Sequence, residues 1–200
     1  MPFSHGLIAA ALTILSAGLS AGAASAESNG LRQLGAHVHG AAELIAAADP
    51  DGLVVAELSS PAYNLYGFEG AASPEQSDAV ARANTRLAEP GLVHFGEGAG
   101  CTLTDTSVLG APEARDTAPH GETPHDHDHA HEDHGDEAGH GDVTVSWSFQ
   151  CSNPARIAAL DLSGLFAAFE RLERIEVQYL DAGRAAAQVL TPAGAVLALD

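Results

Sequence analysis

The residues best equipped for chemistry lie between positions 120 and 142, where the chain reads HGETPHDHDHAHEDHGDEAGHGD. Seven of the eleven histidines are here: His120, His125, His127, His129, His131, His134 and His140. Residues 111–142 also hold ten acidic side chains and a single arginine, Arg115. Neutral imidazole is the commonest protein ligand for zinc, copper and nickel, and carboxylates add oxygen donors. The stretch has almost no large apolar residue, so burial cannot offset the entropy lost on ordering. It is expected to be a disordered, solvated loop that captures divalent metal. Neither a charged spacer nor an accidental tag accounts for histidine at this density inside the chain. The spelling His129-Ala-His131-Glu-Asp133-His134 matches the H-x-H-x-D-H motif of binuclear zinc hydrolases. That chemistry needs ligands held rigidly at the end of a core strand, and Gly, Asp, Glu and His surround the motif instead.

A second group lies further upstream. His37 and His39 form an H-x-H pair in LGAHVHGAAELIA, a stretch that leads through Asp49-Pro-Asp-Gly52 into LVVAEL. That pattern predicts a β-hairpin. Residues i and i+2 of a strand share a face, so the two imidazoles would stand together. Two histidines hold a metal weakly, and His94, Glu43 and Glu69 are the candidates for the missing ligands. His94 also reads as an ordinary structural histidine.

Cys101 and Cys151 are the only cysteines. In an exported chain, two cysteines flanking a long insertion read as a disulfide rather than zinc thiolates. Cys101 opens one nine-residue stretch of strand-like alternation, to Leu109, and Cys151 closes another that begins at Val143. Antiparallel pairing with Cys101 opposite Cys151 puts Leu109 opposite Val143 and makes the His-rich segment the tip of a clamped hairpin.

The remaining elements have to carry these groups. Residues 1–26 read as a cleavable signal peptide: an apolar run at 7–19, then Ala24-Ser25-Ala26 before Glu27. The run is too short to span a membrane. The mature chain, residues 27–200, is the size of one domain. Its net charge of −19 argues against nucleic acid and anionic membrane as partners. Ser73-Pro74-Glu75-Gln76 opens a helix whose apolar face is Ala79, Val80, Ala83 and Leu87, ended by Pro90-Gly91. A second helix is predicted over 162–171, a hairpin over 175–180 and 185–190, and a last strand over 196–199. The fold class is α+β: one domain of antiparallel β-hairpins with two or three helices. A shared order of hairpin, small polar residues, Pro-Ala and helix suggests two related ββα halves.

His37-Val-His39-Gly40-Ala-Ala-Glu43-Leu44, Ser60-Pro61-Ala62, Gly67-Phe68-Glu69 and the cysteine-flanked His loop together resemble the ZrgA-like periplasmic zinc-binding proteins. The resemblance covers nearly the whole mature chain. It implies a soluble periplasmic protein, not an enzyme, that binds Zn2+ and assists zinc uptake. The partners it implies are zinc ions and a periplasmic or membrane component of a zinc ABC importer. His37 and His39 carry over as ligands of a site in the folded body, and residues 120–140 as the loop. Family members usually read G-F-E-H where this chain has Gly67-Phe68-Glu69-Gly70, so the body site is one histidine short or is completed by His94 or a carboxylate. A copper or nickel buffer is the alternative the loop allows, and a zinc-dependent hydrolase a more distant one.

Overall fold

Alternation of buried and exposed side chains governs the strands, as period-2 sequence patterning requires. The computed structural model describes residues 38–114 and 141–199. The expected signal peptide, His37 and all seven histidines of the His-rich segment lie outside them. The described strands are β1 (Ala41–Ala48), β2 (Leu53–Pro61), β3 (Cys101–Leu109), β4 (Asp142–Cys151), β5 (Ala159–Asp161), β6 (Arg174–Leu180), β7 (Ala185–Leu190) and β8 (Val196–Ala198). Three α-helices join them, α1 (Ala62–Tyr66), α2 (Ser77–Leu87) and α3 (Ser163–Ala168). The chain is α+β, as its patterning predicts.

Six strands form one sheet in the order β3-β4-β2-β1-β6-β7, while β5 and β8 pair separately. All neighbours in the large sheet are antiparallel except β1 and β6, which run parallel. One face is buried and carries Leu44, Ala46, Val54, Leu58, Val145, Trp147, Ile175 and Tyr179. Against it pack Leu65 and Tyr66 of α1, Leu87 of α2, Leu92, Val93 and Phe95, and Leu165 and Phe166 of α3. Each fully buried large side chain contributes about 1.5–3 kcal/mol. The indole N–H of Trp147 donates to the Leu87 carbonyl at 2.7 Å, satisfying an acceptor that the end of α2 would leave orphaned.

The start of α2 follows the predicted chemistry. Pro74–Gln76 is a 3₁₀ turn running into the helix, and the Gln76 Oε1 accepts from the Ser73 N–H at 2.8 Å. The helix ends at Leu87 rather than at Pro90-Gly91. The second helix is also shorter than residues 162–171, because Phe169 leaves helical geometry; Phe169 and Leu172 still reach the core. A 3₁₀ turn and β5 intervene between β4 and α3, so the hairpin-then-helix order recurs only loosely in the second half.

Cys101 and Cys151 are disulfide-bonded and lie opposite each other. The expected partner of Leu109 is off by one residue. A bulge between Leu103 and Asp105 consumes Thr104, and Leu109 pairs with Thr144 instead of Val143. The sheet therefore has two distinct ends. One holds the disulfide, the β1–β2 turn and the β6–β7 turn. The other gathers the start of β1, the end of β2, and the starts of β4 and β6, through the pairs Pro61–Asp142 and Ala41–Arg174.

Candidate metal centre

His39 stands at that second end, in the turn just before β1 rather than on the strand. Ala41 N–H closes the turn onto the Val38 carbonyl at 3.0 Å. Gly40 makes it with φ +84°, and a Cβ there would sit 2.9 Å from Cδ of Glu173. The left-handed backbone favours glycine here, and a larger residue would also have to push the flexible Glu173 side chain aside. The strand-face argument for pairing His37 with His39 does not hold for His39, and His37 lies outside the described residues.

The turn is fastened from below by Asn64. Its Oδ1 accepts from Gly40 N–H at 2.8 Å, and its Nδ2 donates to the Ala41 carbonyl at 2.9 Å and to Ser60 Oγ at 3.0 Å. The Gly40 carbonyl accepts from the N–H groups of Glu173 and Arg174 at 2.8 and 3.0 Å. Ser60 and Asn64 are the buried polar residues among the described ones.

Beside Asn64 on α1, Tyr63 lies flat under the imidazole of His39, with ring centroids 4.2 Å apart and planes 17° from parallel. The Arg171 guanidinium sits over the same tyrosine, 5.7 Å from its centroid. Gly67, at φ +86°, ends α1 by donating to the Tyr63 carbonyl at 2.9 Å. The chain then turns back and brings Glu69 to His39: the Nε2–Oε1 distance is 2.8 Å. The His39 side chain is 51% exposed and that of Glu69 16%. An imidazole nitrogen and a carboxylate oxygen meeting at a half-open rim are the donor types zinc takes. Gly70 follows at φ +74° with open space where a side chain would begin.

The residues flanking the His-rich segment bond the two ends of the stretch that carries Glu69. Before it, the Glu113 carbonyl accepts from Ala72 N–H at 2.8 Å; after it, the Gly141 carbonyl accepts from Ala62 N–H at 3.1 Å. Residues 62 and 72 bracket the stretch that carries Tyr63, Asn64 and Glu69. Asp142 already belongs to β4.

The other sequence candidates stand apart. His94 is exposed and bridges to Asp161 through its backbone, with both N–H···O bonds formed at 3.0 and 2.8 Å. Its Nδ1 accepts from Gly96 N–H at 3.2 Å, the role of an ordinary structural histidine. Glu43 lies on the open face of the sheet, across from Ser59 and Glu176. Both cysteines are consumed by their disulfide and offer no thiolate. Among the described residues no three of His, Cys, Asp and Glu converge on one point. Glu69 was legible as a candidate, whereas Tyr63 and Asn64 were not. The faint signal for Asn64 is a polar residue between apolar ones in a short helix directly after a strand.

At the opposite end of the sheet, Arg184 ties down the C-terminal strand. Its Nη1 donates to the Ile157 and Leu199 carbonyls at 2.7 and 2.9 Å, and its Nη2 pairs with Asp181 at 2.6 Å. The Gly183 N–H, then Arg184 and Tyr179, hold the Asp181 carboxyl down at about 2. Burial, reinforced by Asp181, pushes the Tyr179 hydroxyl up to about 12.

A family model described as "ZrgA family zinc uptake protein" matches residues 36–199. Comparison with curated proteins gives no match. No helix among the described residues is long and apolar enough to cross a membrane.

Proposed function

We propose, for a chain that belongs to the ZrgA family of zinc uptake proteins, that it is an exported periplasmic protein holding zinc at two kinds of site. One is in the folded body, with His39 and Glu69 as ligands and His37 as a further imidazole. The other is the His-rich segment with its seven histidines, which collects zinc in weaker, exchanging sites. The segment passes metal to the body site or to a component of a zinc importer. The protein performs no catalysis in this reading.

The observation that supports it most is that Glu69, paired with His39, belongs to the stretch 62–72 whose two ends bond Gly141 and Glu113, the residues flanking the His-rich segment. A half-exposed pair of nitrogen and oxygen donors suits a cargo that must leave again. A purely structural zinc is normally enclosed by four protein ligands.

The test is zinc binding by three proteins: wild type, His39→Ala, and a chain in which residues 115–140 are replaced by a Gly/Ser linker of about eight residues. Equilibrium dialysis gives the number of zinc ions bound, and competition with a chromophoric chelator gives the tightest affinity. Replacing the segment lowers the number bound and leaves the tightest site. His39→Ala removes the tightest site and leaves the weak ones. A tightest site that survives His39→Ala and disappears with the segment refutes the assignment.

A further inference from the structure

We infer that Asn64 is a positioning residue for the metal site, acting through the backbone turn that carries His39. The inference rests on the reading of His39 as a zinc ligand. Asn64 is completely buried, and burying an amide without partners is costly. Every partner it has lies at this end of the sheet. Its Oδ1 holds the N–H of Gly40, and its Nδ2 holds the Ala41 carbonyl and Ser60 Oγ. One side chain thereby joins the His39 turn, the start of β1 and the end of β2. The other side of the same peptide is held as well, because the Gly40 carbonyl takes the N–H groups of Glu173 and Arg174. The residue before Asn64 is Tyr63, the platform under the His39 ring. The helix thus supplies both a latch for the backbone of the turn and a floor for its imidazole.

A half-exposed histidine on an unfastened turn would lose its rotamer and its approach to Glu69. Ordering it would then fall on the metal itself and weaken binding. Groups that orient a metal ligand without touching the metal typically change affinity by about 10–100-fold.

The experiment uses the full-length chain with zinc as the probe. Tightest-site affinities are compared for wild type, Asn64→Ala, His39→Ala and Leu65→Ala, at a temperature where circular dichroism shows each one folded. Leu65 is the next residue and is also buried; its replacement destabilises α1 while leaving the Asn64 hydrogen bonds to the turn in place. Proton and carbon NMR signals of the His39 ring are followed without zinc, because stacking on Tyr63 displaces them upfield.

Asn64→Ala is expected to weaken the tightest site at least about tenfold and to move the His39 ring signals towards free-histidine positions. Leu65→Ala should lower the melting temperature with affinity within about threefold of wild type, the scale of one weak contact. Asn64→Ala affinity within that same margin, with His39→Ala strongly impaired, overturns the positioning role. So does an equal loss in Leu65→Ala, which would make the effect one of stability. An unaltered tightest site in His39→Ala would instead sink the underlying assignment of the site. Should Asn64→Ala fail to fold, Ser60→Ala removes one of Asn64's partners alone. A weakening of about threefold to fivefold, the scale of one hydrogen bond, then supports the inference, and wild-type affinity overturns it.

Discussion

Replacing Glu69 by glutamine separates a ligand from a structural ion pair. The substitution keeps size and shape and leaves an amide oxygen that can still accept from His39 Nε2–H. Its cost to the metal-free fold follows from exposure. The His39 side chain is 51% exposed, and pairs in contact with solvent contribute about 0–1 kcal/mol. For a domain of this size 1 kcal/mol moves the melting temperature by about 2–4 °C, so metal-free Glu69→Gln should melt within about 4 °C of wild type. Its cost to zinc binding is far larger. Zinc held by four protein ligands gives roughly 10–16 kcal/mol in all, or about 3 kcal/mol for each. Glutamine keeps a neutral oxygen and forfeits the charge, so about 1.5–3 kcal/mol of that share is lost, which is about 10–100-fold in affinity. Chelator competition near neutral pH reads the affinity, and differential scanning fluorimetry with and without zinc reads the fold. A metal-free melting temperature more than about 10 °C lower with wild-type zinc affinity would refute the reasoning. Glu69 would then be a strut for the α1–α2 connection.

Three further predictions concern the opposite end of the sheet. Arg184→Met strips two carbonyls and the Asp181 carboxylate of their partner and should cost about 2–4 kcal/mol, read as a fall in urea midpoint. Because Asp181 is held at about 2 instead of its ordinary 3.8, its contribution is fully present above pH 3.8 and is lost as pH falls towards 2. Asp181→Asn should lack that component of acid unfolding. Replacing both Cys101 and Cys151 with serine opens a connection spanning 50 residues and should cost about 4 kcal/mol. At a temperature where the variant stays folded, the tightest zinc site should be unchanged, since the disulfide closes the other end of the sheet. A weakened site would show that the two ends are coupled.

The hairpins were legible because β2, β4 and β6 each bury every second residue against one core, and Asp49-Pro-Asp-Gly52 marks the first turn. The disulfide was legible from context. The register between β3 and β4 was not, because the bulge at Thr104 leaves no residue type that announces it. Nor was the parallel pairing of β1 with β6, which joins strands far apart in the chain and leaves no local turn signal. β5 and β8 are three residues each, too short for any period to emerge. In the site, His39 and Glu69 stood out by type. The reading of His39 as a strand residue failed at Gly40, whose left-handed backbone ends the extended run. A single histidine cannot reveal that a tyrosine and an asparagine some two dozen residues later will hold it.

That division of labour bears on how a zinc carrier can bind and still release its cargo. Affinity comes from the number and charge of ligands, whereas the rate of exchange depends on how open the site is and how far ligands must move. In the proposed reading the chain separates the two. Rigidity lies beneath the site, in the Asn64 latch and the Tyr63 floor, where polar groups are buried and paired. Openness lies above it, where half of the His39 side chain meets solvent and no side chain grows from Gly70. A site stiff below and open above does not spend binding energy on ordering its ligand. A competing donor can then approach without unfolding anything. In that same reading the competitor is the His-rich segment, whose flanking residues Glu113 and Gly141 bond Ala72 and Ala62, at either end of the stretch that carries Glu69.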